Sequence, residues 1–426
     1  MNSAFNHRIS LDEAAAIVRG AMSRELLSGP SAIFHHLELM RARIAELQST
    51  FPDGTLHAVA MKANPVLEIL RDIVRAGCGL EAASLEEVHL ALAAGCAPER
   101  VVFDSPAKTA DEIREALQRG VYLNADNFDE LERIAAARRN CPSTSRVGLR
   151  INAMVGAGTI EQTSVAASDS KFGVPLLSDR KKILAAFAEY GWLSGLHVHV
   201  GSQGCGLALL VEAAERIAAL RREIVAATGK QVTDVDLGGG LPTAYRTGES
   251  APTPSEYRKA LEERSPDLFA PDVRLITEFG RAIHANCGIA VSRVEYVKPA
   301  QRMAVIHLGA DFLLRPVYRP QDWHHEFFVL DGHGRPKTGP ARPVTIAGPL
   351  CFAGDILARD VLLPPIDYGD WIVLRDVGAY TLSMWSRHCS RSIPPVFGYE
   401  PKAAEPLRVL RRGETPGDIV RFWGNA

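Results

Sequence analysis

Lys62 stands at the end of "LHAVAMK" (56–62), directly after an apolar run that reads as a buried strand. Burying an ammonium is costly unless it is paired or has lost its charge. A lysine so placed suits three roles: a solvated surface charge, a point charge for phosphate, or a Schiff-base amine whose pKa burial lowers. Alone, the surface role is the commoner one. The run "DVDLGGGLP" (234–242) then offers Gly238, Gly239 and Gly240 after a strand. Glycines let a backbone approach a ligand closely, and successive N–H groups form a nest for phosphate; a plain tight turn rarely needs three. In "TEFGRAIHANCG" (277–288), Arg281 suits phosphate by charge and geometry, and Glu278 suits a protonated ring nitrogen. An Arg–Glu surface pair is the plainer account of those two.

In "GLHVHVGSQ" (195–203), His197 and His199 alternate and so face one side of a strand. A metal pair is discounted, because no third ligand shows convincing spacing. A flat imidazole stacked on a planar ligand is the functional reading, against a satisfied core histidine. Ser202 follows and can donate to phosphate. An amine, a phosphate cradle, a carboxylate and a flat ring together are what pyridoxal 5'-phosphate requires. Lysine serves its aldehyde, the glycines and arginine its phosphate, and Glu278 its pyridinium. A simple phosphate-sugar site would leave Glu278 unexplained.

These groups need a scaffold that gathers distant strand ends. From residue 56 to about 280, short β-prone runs ("LHAVAM", "GLEAA", "RVVFDS", "VYLNAD", "RVGLRIN", "SGLHVHV", "VTDVDLG", "VRLITEF") alternate with helical patterns. The patterns at 84–95 and 109–120 each end in glycine, and Ser84 with Glu87 has capping-box spacing. Eight strands separated by helices predict an α/β fold, a (β/α)8 TIM-type barrel rather than an open sheet. Lys62, Glu81, Asp104, Asn124, Asp126, Arg150, Asn152, His199, Gly238 and Glu278 all fall at carboxyl ends of strands, the face where such barrels place their sites. Beyond about 285, "AVSRVEYV", "MAVIHLGADF", "EFFVLD", "PVTIAG" and "DWIVLRD" have little helix between them, which predicts a C-terminal all-β domain. A helix is expected over 37–50, and "YRTGESAPTPSE" (245–256) reads as a loop inside a domain.

The chain has 426 residues, 46% hydrophobic and 23% charged, with formal net charge -2, so two domains are the better prior and no broad footprint for nucleic acid or anionic membrane exists. Seven scattered cysteines show no zinc spacing, which predicts a reducing, cytoplasmic setting. The N-terminus lacks an apolar signal core and no apolar run reaches membrane-spanning length.

The residues resemble the barrel-type (fold type III) pyridoxal-phosphate decarboxylases, the diaminopimelate, ornithine and arginine group, and most closely the diaminopimelate branch. The resemblance covers roughly residues 30–400, through "AVAMKANP", "LEAASLEEV", "SKFGV", "HVHVGSQ", "DLGGGLP", "EFGR", "LLRPVY", "GPLCFAGD" and "DVGAYTLSM" in consistent order. It implies an alanine-racemase-like two-domain architecture: a segment 1–34 packed on the β domain, a cofactor-binding barrel over 35–285, and the β domain over 286–426. It implies that Lys62 forms the internal aldimine and that His199 stacks on the ring. Ser202, Gly238, Gly239, Gly240, Gly280 and Arg281 would hold the phosphate side with Tyr380, and Glu278 would pair with the ring nitrogen. Arg315, Tyr318, Phe352 and Asp355 would meet the substrate, Arg315 and Tyr318 through its carboxylate. Cys351 would donate a proton to the product carbon from the partner subunit, so a homodimer with composite sites is implied.

Three departures stand out. Phe279 replaces the usual proline, Glu81 the usual aspartate, and Phe352 the acidic residue that contacts a distal ammonium. Phenylalanine accepts no hydrogen bond, and an unpaired buried ammonium would be rejected. The expected activity is therefore that of a pyridoxal-phosphate carboxy-lyase for a diaminopimelate-like or N-substituted diamino acid with a distal carboxylate, in siderophore or antibiotic metabolism. The alternatives are diaminopimelate decarboxylation in lysine biosynthesis, a racemase on the same fold, and a non-catalytic cofactor-binding relative.

Overall fold

The computed structural model describes residues 3–424; positions 1 and 2 of the expected N-terminal segment, and 425 and 426 of the expected β domain, lie outside the described residues. The chain divides into two compact units. One comprises residues 3–5, 41–243 and 251–283, and the other 6–40, 244–250 and 284–424.

In the first unit the eight expected strands form a closed parallel barrel: Leu56–Ala60, Gly79–Ala82, Val101–Asp104, Tyr122–Ala125, Val147–Asn152, Leu193–His197, Asp234–Asp236 and Arg274–Thr277. The first strand pairs with the last, at Leu56 with Ile276, which closes the ring. A two-residue strand, Val174–Pro175, adds to the Val147–Asn152 strand. Strand residues alternate faces, and the inward set begins apolar: Leu56, Ala58, Val102, Tyr122 and Ile276 form one buried cluster. Two positions beyond Val102, Tyr122 and Ile276 come Asp104, Asn124 and Glu278, so this face turns polar towards the carboxyl end. The intervening helices start where short polar side chains satisfy free N–H groups. Thr109 and Glu112 form a reciprocal capping box, as do Thr253 and Glu256. At Ser84 only half of the expected box forms: its hydroxyl accepts from Glu87 N–H, while the Glu87 carboxylate takes the N–H of Ala83 instead.

The second unit is built on a mixed nine-stranded sheet. The expected β runs appear as Gly288–Lys298, Met303–Ile306, Phe327–Leu330, Arg342–Ala347 and Trp371–Arg375. Four strands of this sheet were not expected: Ser31–His36, Ile356–Leu363, Val396–Tyr399 and Leu407–Arg411. Ser31–His36 lies between Gly288–Lys298, antiparallel, and Val396–Tyr399, parallel. The helix Leu11–Ser23 buries Ala14, Ile17, Val18 and Ala21 against Phe34, Ile289 and Val373 of this sheet. The expected helix Leu37–Thr50 is present, and the division between units falls within it. The connector at 245–256 is not contained in one domain: residues 244–250 group with the second unit, and a helix begins at Pro254.

Candidate active site

The inward residues at the carboxyl end of the barrel are Glu81, Asp104, Asn124, Arg150, His197 and Asp236, with Lys62 and Glu278 just beyond their strands. Register brings them level: Asp104 pairs with Asn124, Arg150 with His197, and His197 with Asp236. Lys62 sits in a 3-10 turn, Met61–Ala63, rather than in the strand. Its side chain is 40% exposed, not buried as the sequence implied, and its Nζ lies 2.6 Å from Glu81, which is fully buried. A charged lysine is tolerable there because it is half-solvated and paired. Burial raises the Glu81 carboxyl, with the Lys62 charge partly offsetting that.

The three glycines form a tight crossing of backbones. Gly238 has φ +65°, and a Cβ there would lie 2.5 Å from the carbonyl oxygen of Val198. At Gly239 it would lie 2.5 Å from the carbonyl oxygen of Glu278. The turn is anchored by Asp236, whose carboxylate accepts from Gly238 N–H at 3.0 Å and from the Asn124 amide at 3.0 Å. Gly239 N–H donates to His199 Nδ1 at 3.0 Å, so that nitrogen carries no proton. Burial, then the charges of Arg150 and Lys62, hold the His199 imidazole well below the ordinary histidine range, and the ring is neutral. Arg281, buried, donates from Nε and Nη2 to the Ser202 hydroxyl at 3.1 and 3.0 Å. Gly280 touches the Lys62 turn: a Cβ there would meet those of Ala63 and Ala60 at 2.9 and 3.0 Å.

Below these groups lies a buried array of charges. Arg150 donates to Asp104 at 3.0 Å and its guanidinium stacks 4.4 Å from the Phe172 ring centroid, which gives the "SKFGV" run a task. Burial pushes the Asp104 carboxyl up, but Arg150 and His197 outweigh it and hold it well below the usual carboxylate range. Glu278 goes the other way: burial, with Asp236, Glu81 and Asp104 as neighbouring anions, pushes its carboxyl well above the usual range. Glu278 Oε1 and Glu81 Oε2 are buried without a hydrogen-bond partner. His197, Asp104 and Glu278 converge, with one side-chain nitrogen or oxygen of each within 4.8 Å of the others.

The remaining expected site residues belong to the second unit. Arg315 is held between two rings, its guanidinium carbon 4.7 Å from the Trp323 centroid and 4.8 Å from that of Tyr380. Tyr380 itself has φ +56°. Tyr318 is exposed and stacks on Phe352, with centroids 5.9 Å apart and planes 16° apart, and Phe352 meets His388 edge-on at 6.5 Å. Cys351 is an exposed free thiol on the same loop. Asp355 was expected at the substrate, but it is buried and its two oxygens accept from Ala310 N–H at 2.6 Å and Leu350 N–H at 2.7 Å. It shapes the Cys351 loop instead. Sequence reading gave no task to Asp236, Phe172 or Trp323; for Asp236 the signal was its two-residue spacing from Asp234 along an inward-facing strand.

Residues 37–285 match the family described as pyridoxal-dependent decarboxylase, pyridoxal binding domain. The diaminopimelate decarboxylase of Pseudomonas aeruginosa is 33% identical over 410 residues, 94% of this chain and 92% of that protein. That of Archaeoglobus fulgidus is 32% identical over 380 residues, 86% of each. The crystal structure of Helicobacter pylori diaminopimelate decarboxylase complexed with L-lysine superposes with a TM-score of 0.85 at 28% identity, covering 94% of this chain and 99% of that one. The barrel fits the cofactor this implies. Glu278 Oε1 and Glu81 Oε2 lack partners, the first suited to a ring N–H, and the crossing at Gly238 and Gly239 leaves backbone in place of side chains.

Proposed function

Because the chain belongs to the pyridoxal-dependent decarboxylases, we propose that its substrate is diaminopimelate and its product lysine. The enzyme is a pyridoxal-phosphate-dependent carboxy-lyase of amino acids. The observation that carries the substrate is the likeness to diaminopimelate decarboxylases along 94% of the chain. Arg315, clamped between Trp323 and Tyr380, supports it, since a rigid guanidinium suits the second carboxylate of such a substrate.

In this reading Lys62 is the amine that tethers the cofactor's aldehyde, with Glu81 holding it in place. Ser202, Arg281 and the Gly240 amide would take the phosphate, beside the backbone crossing that Gly238 and Gly239 keep free of side chains. Neutral His199 would stack against the ring, and Glu278 would pair with its nitrogen. When bound, pyridoxal phosphate supplies the sink for the electron pair left as CO2 departs. The Cys351 thiol returns a proton to the product carbon, serving the neighbouring copy in a homodimer.

Phe352 favours a second reading. The far end of diaminopimelate bears an ammonium beside its carboxylate, and the Phe352–Tyr318 stack offers that end no acceptor on the phenylalanine. An N-substituted diamino acid with a distal carboxylate suits such a wall. The siderophore or antibiotic role expected with it draws no support from the relatives, whereas lysine biosynthesis does. Comparing kcat/KM for meso-diaminopimelate, lysine and ornithine in the wild type and Phe352→Glu separates the two. Efficient wild-type turnover of meso-diaminopimelate, unimproved by the substitution, is the result expected of the first reading. Slow turnover that gains about tenfold or more with Phe352→Glu refutes it in favour of the second.

A further inference from the structure

His197 is the inward residue of the strand Leu193–His197, and it is fully buried. A buried histidine ordinarily has both ring nitrogens satisfied. Here neither has a hydrogen-bond partner. Instead, Nδ1 lies 3.5 Å from an Asp104 oxygen and Nε2 lies 3.7 Å from a Glu278 oxygen. The ring is thus suspended between two carboxylates, one on the fourth-residue end of Val101–Asp104 and one just past Arg274–Thr277. Asp104 cannot turn away, because Arg150 holds its other oxygen at 3.0 Å and is itself pinned by Phe172.

We propose that His197, backed by Asp104, is a positioning residue that governs the proton shared between Glu278 and the pyridine nitrogen of the cofactor. This rests on the reading that Glu278 faces that nitrogen. The groups acting on Glu278 from the surrounding strands are Asp236, Glu81 and Asp104, all anionic, and Lys62, which is committed to Glu81. Those three anions drive Glu278 towards its neutral form, in which it cannot balance a pyridinium. With a carboxylate oxygen facing each ring nitrogen, a His197 that donates from both would supply the missing positive charge, keep Glu278 a carboxylate and leave the proton on the ring nitrogen. The proton moves along one line, between Glu278 and His197, and no other group is oxidised, reduced or consumed.

The test is a pH titration of the visible band of the holoenzyme, since the charge on the ring nitrogen shifts the band's midpoint. His197→Gln keeps the ring's approximate length and a donor but carries no charge. Its midpoint is expected to move up by about one pH unit or more, and kcat to fall about tenfold with KM within about twofold. After reconstitution with the cofactor analogue that has carbon in place of the ring nitrogen, wild type and His197→Gln are expected to coincide, which a merely structural defect would not produce. His197→Asn serves as the second variant where His197→Gln fails to fold. An unchanged midpoint in the folded variant, or a difference that persists with the carbon analogue, overturns the proposal. So does a wild-type midpoint that shifts on chelation and returns with a divalent cation, which reassigns the three side chains to a metal. Glu278→Gln separates the premise: if it leaves the wild-type midpoint unmoved, the Glu278 reading fails, whereas a shift there with none in His197→Gln refutes only the role of His197.

Discussion

Gly238→Ala is expected to leave the barrel folded but unable to hold its cofactor well. Position 238 has φ +65°, where an alanine costs about 1–2 kcal/mol. The new Cβ would also stand 2.5 Å from the Val198 carbonyl oxygen and 2.8 Å from His199 Nδ1. The first of these is backbone and cannot swing aside, so the two crossing segments must part. Parting them breaks the Gly239 N–H bond to His199 and displaces the following Gly240 amide from the phosphate. Losing one ordinary and one charge-assisted hydrogen bond removes about 2–4 kcal/mol of binding, a rise in cofactor Kd of about 30- to 700-fold. The assay is equilibrium titration of cofactor-free protein with pyridoxal phosphate, followed by absorbance. Gly206→Ala is the control: it lies in the loop after Leu193–His197, has φ −71°, and its Cβ would meet nothing within 4 Å. A folded Gly238→Ala protein with wild-type Kd, or an equal loss in Gly206→Ala, would refute the reasoning.

Lys62→Ala is expected to abolish both turnover and the visible band, and mixing it with Cys351→Ser subunits to recover about a quarter of wild-type activity if sites are shared between copies; CO2 release and absorbance measure these. Trp323→Leu strips one face from Arg315 and should raise KM for the substrate about 5- to 30-fold with kcat unchanged, read by steady-state kinetics. Asp104→Asn leaves buried Arg150 with only the more distant Asp126 at 3.9 Å, which should cost about 3 kcal/mol at pH 7 in a denaturant titration. The native Asp104 carboxyl titrates below its unfolded value of 3.8, so its contribution is present above that pH and fades below it. The gap between wild type and variant should therefore narrow as the pH drops under about 4.

The barrel was legible because most of its strands are short, largely apolar runs with a polar residue at or just beyond the carboxyl end, and buried parallel strands leave that mark in a sequence. Ser31–His36 was not, since "SAIFHH" shows no alternation and its pairing partners lie more than 250 residues away. Lys62, Glu278, Arg281 and the glycines were singled out by residue type and position at strand ends. His197 was found, but its partners were not, because Asp104 and Glu278 lie on other strands and only closure of the barrel brings them within ion-pair distance. Asp355 was placed by its motif alone, and its two backbone donors, Ala310 and Leu350, show only in the structure.

The placement of Ser31–His36 in the second sheet has a consequence for synthesis. The strand leaves the ribosome early, yet one of its two partners is made about 360 residues later. At about 5–20 residues per second, that edge waits roughly 20–70 s for its last neighbour. During that interval the nascent chain carries an unpaired, apolar ribbon, a natural client for holding chaperones, and a transcript cut short before Val396 leaves the ribbon without that neighbour.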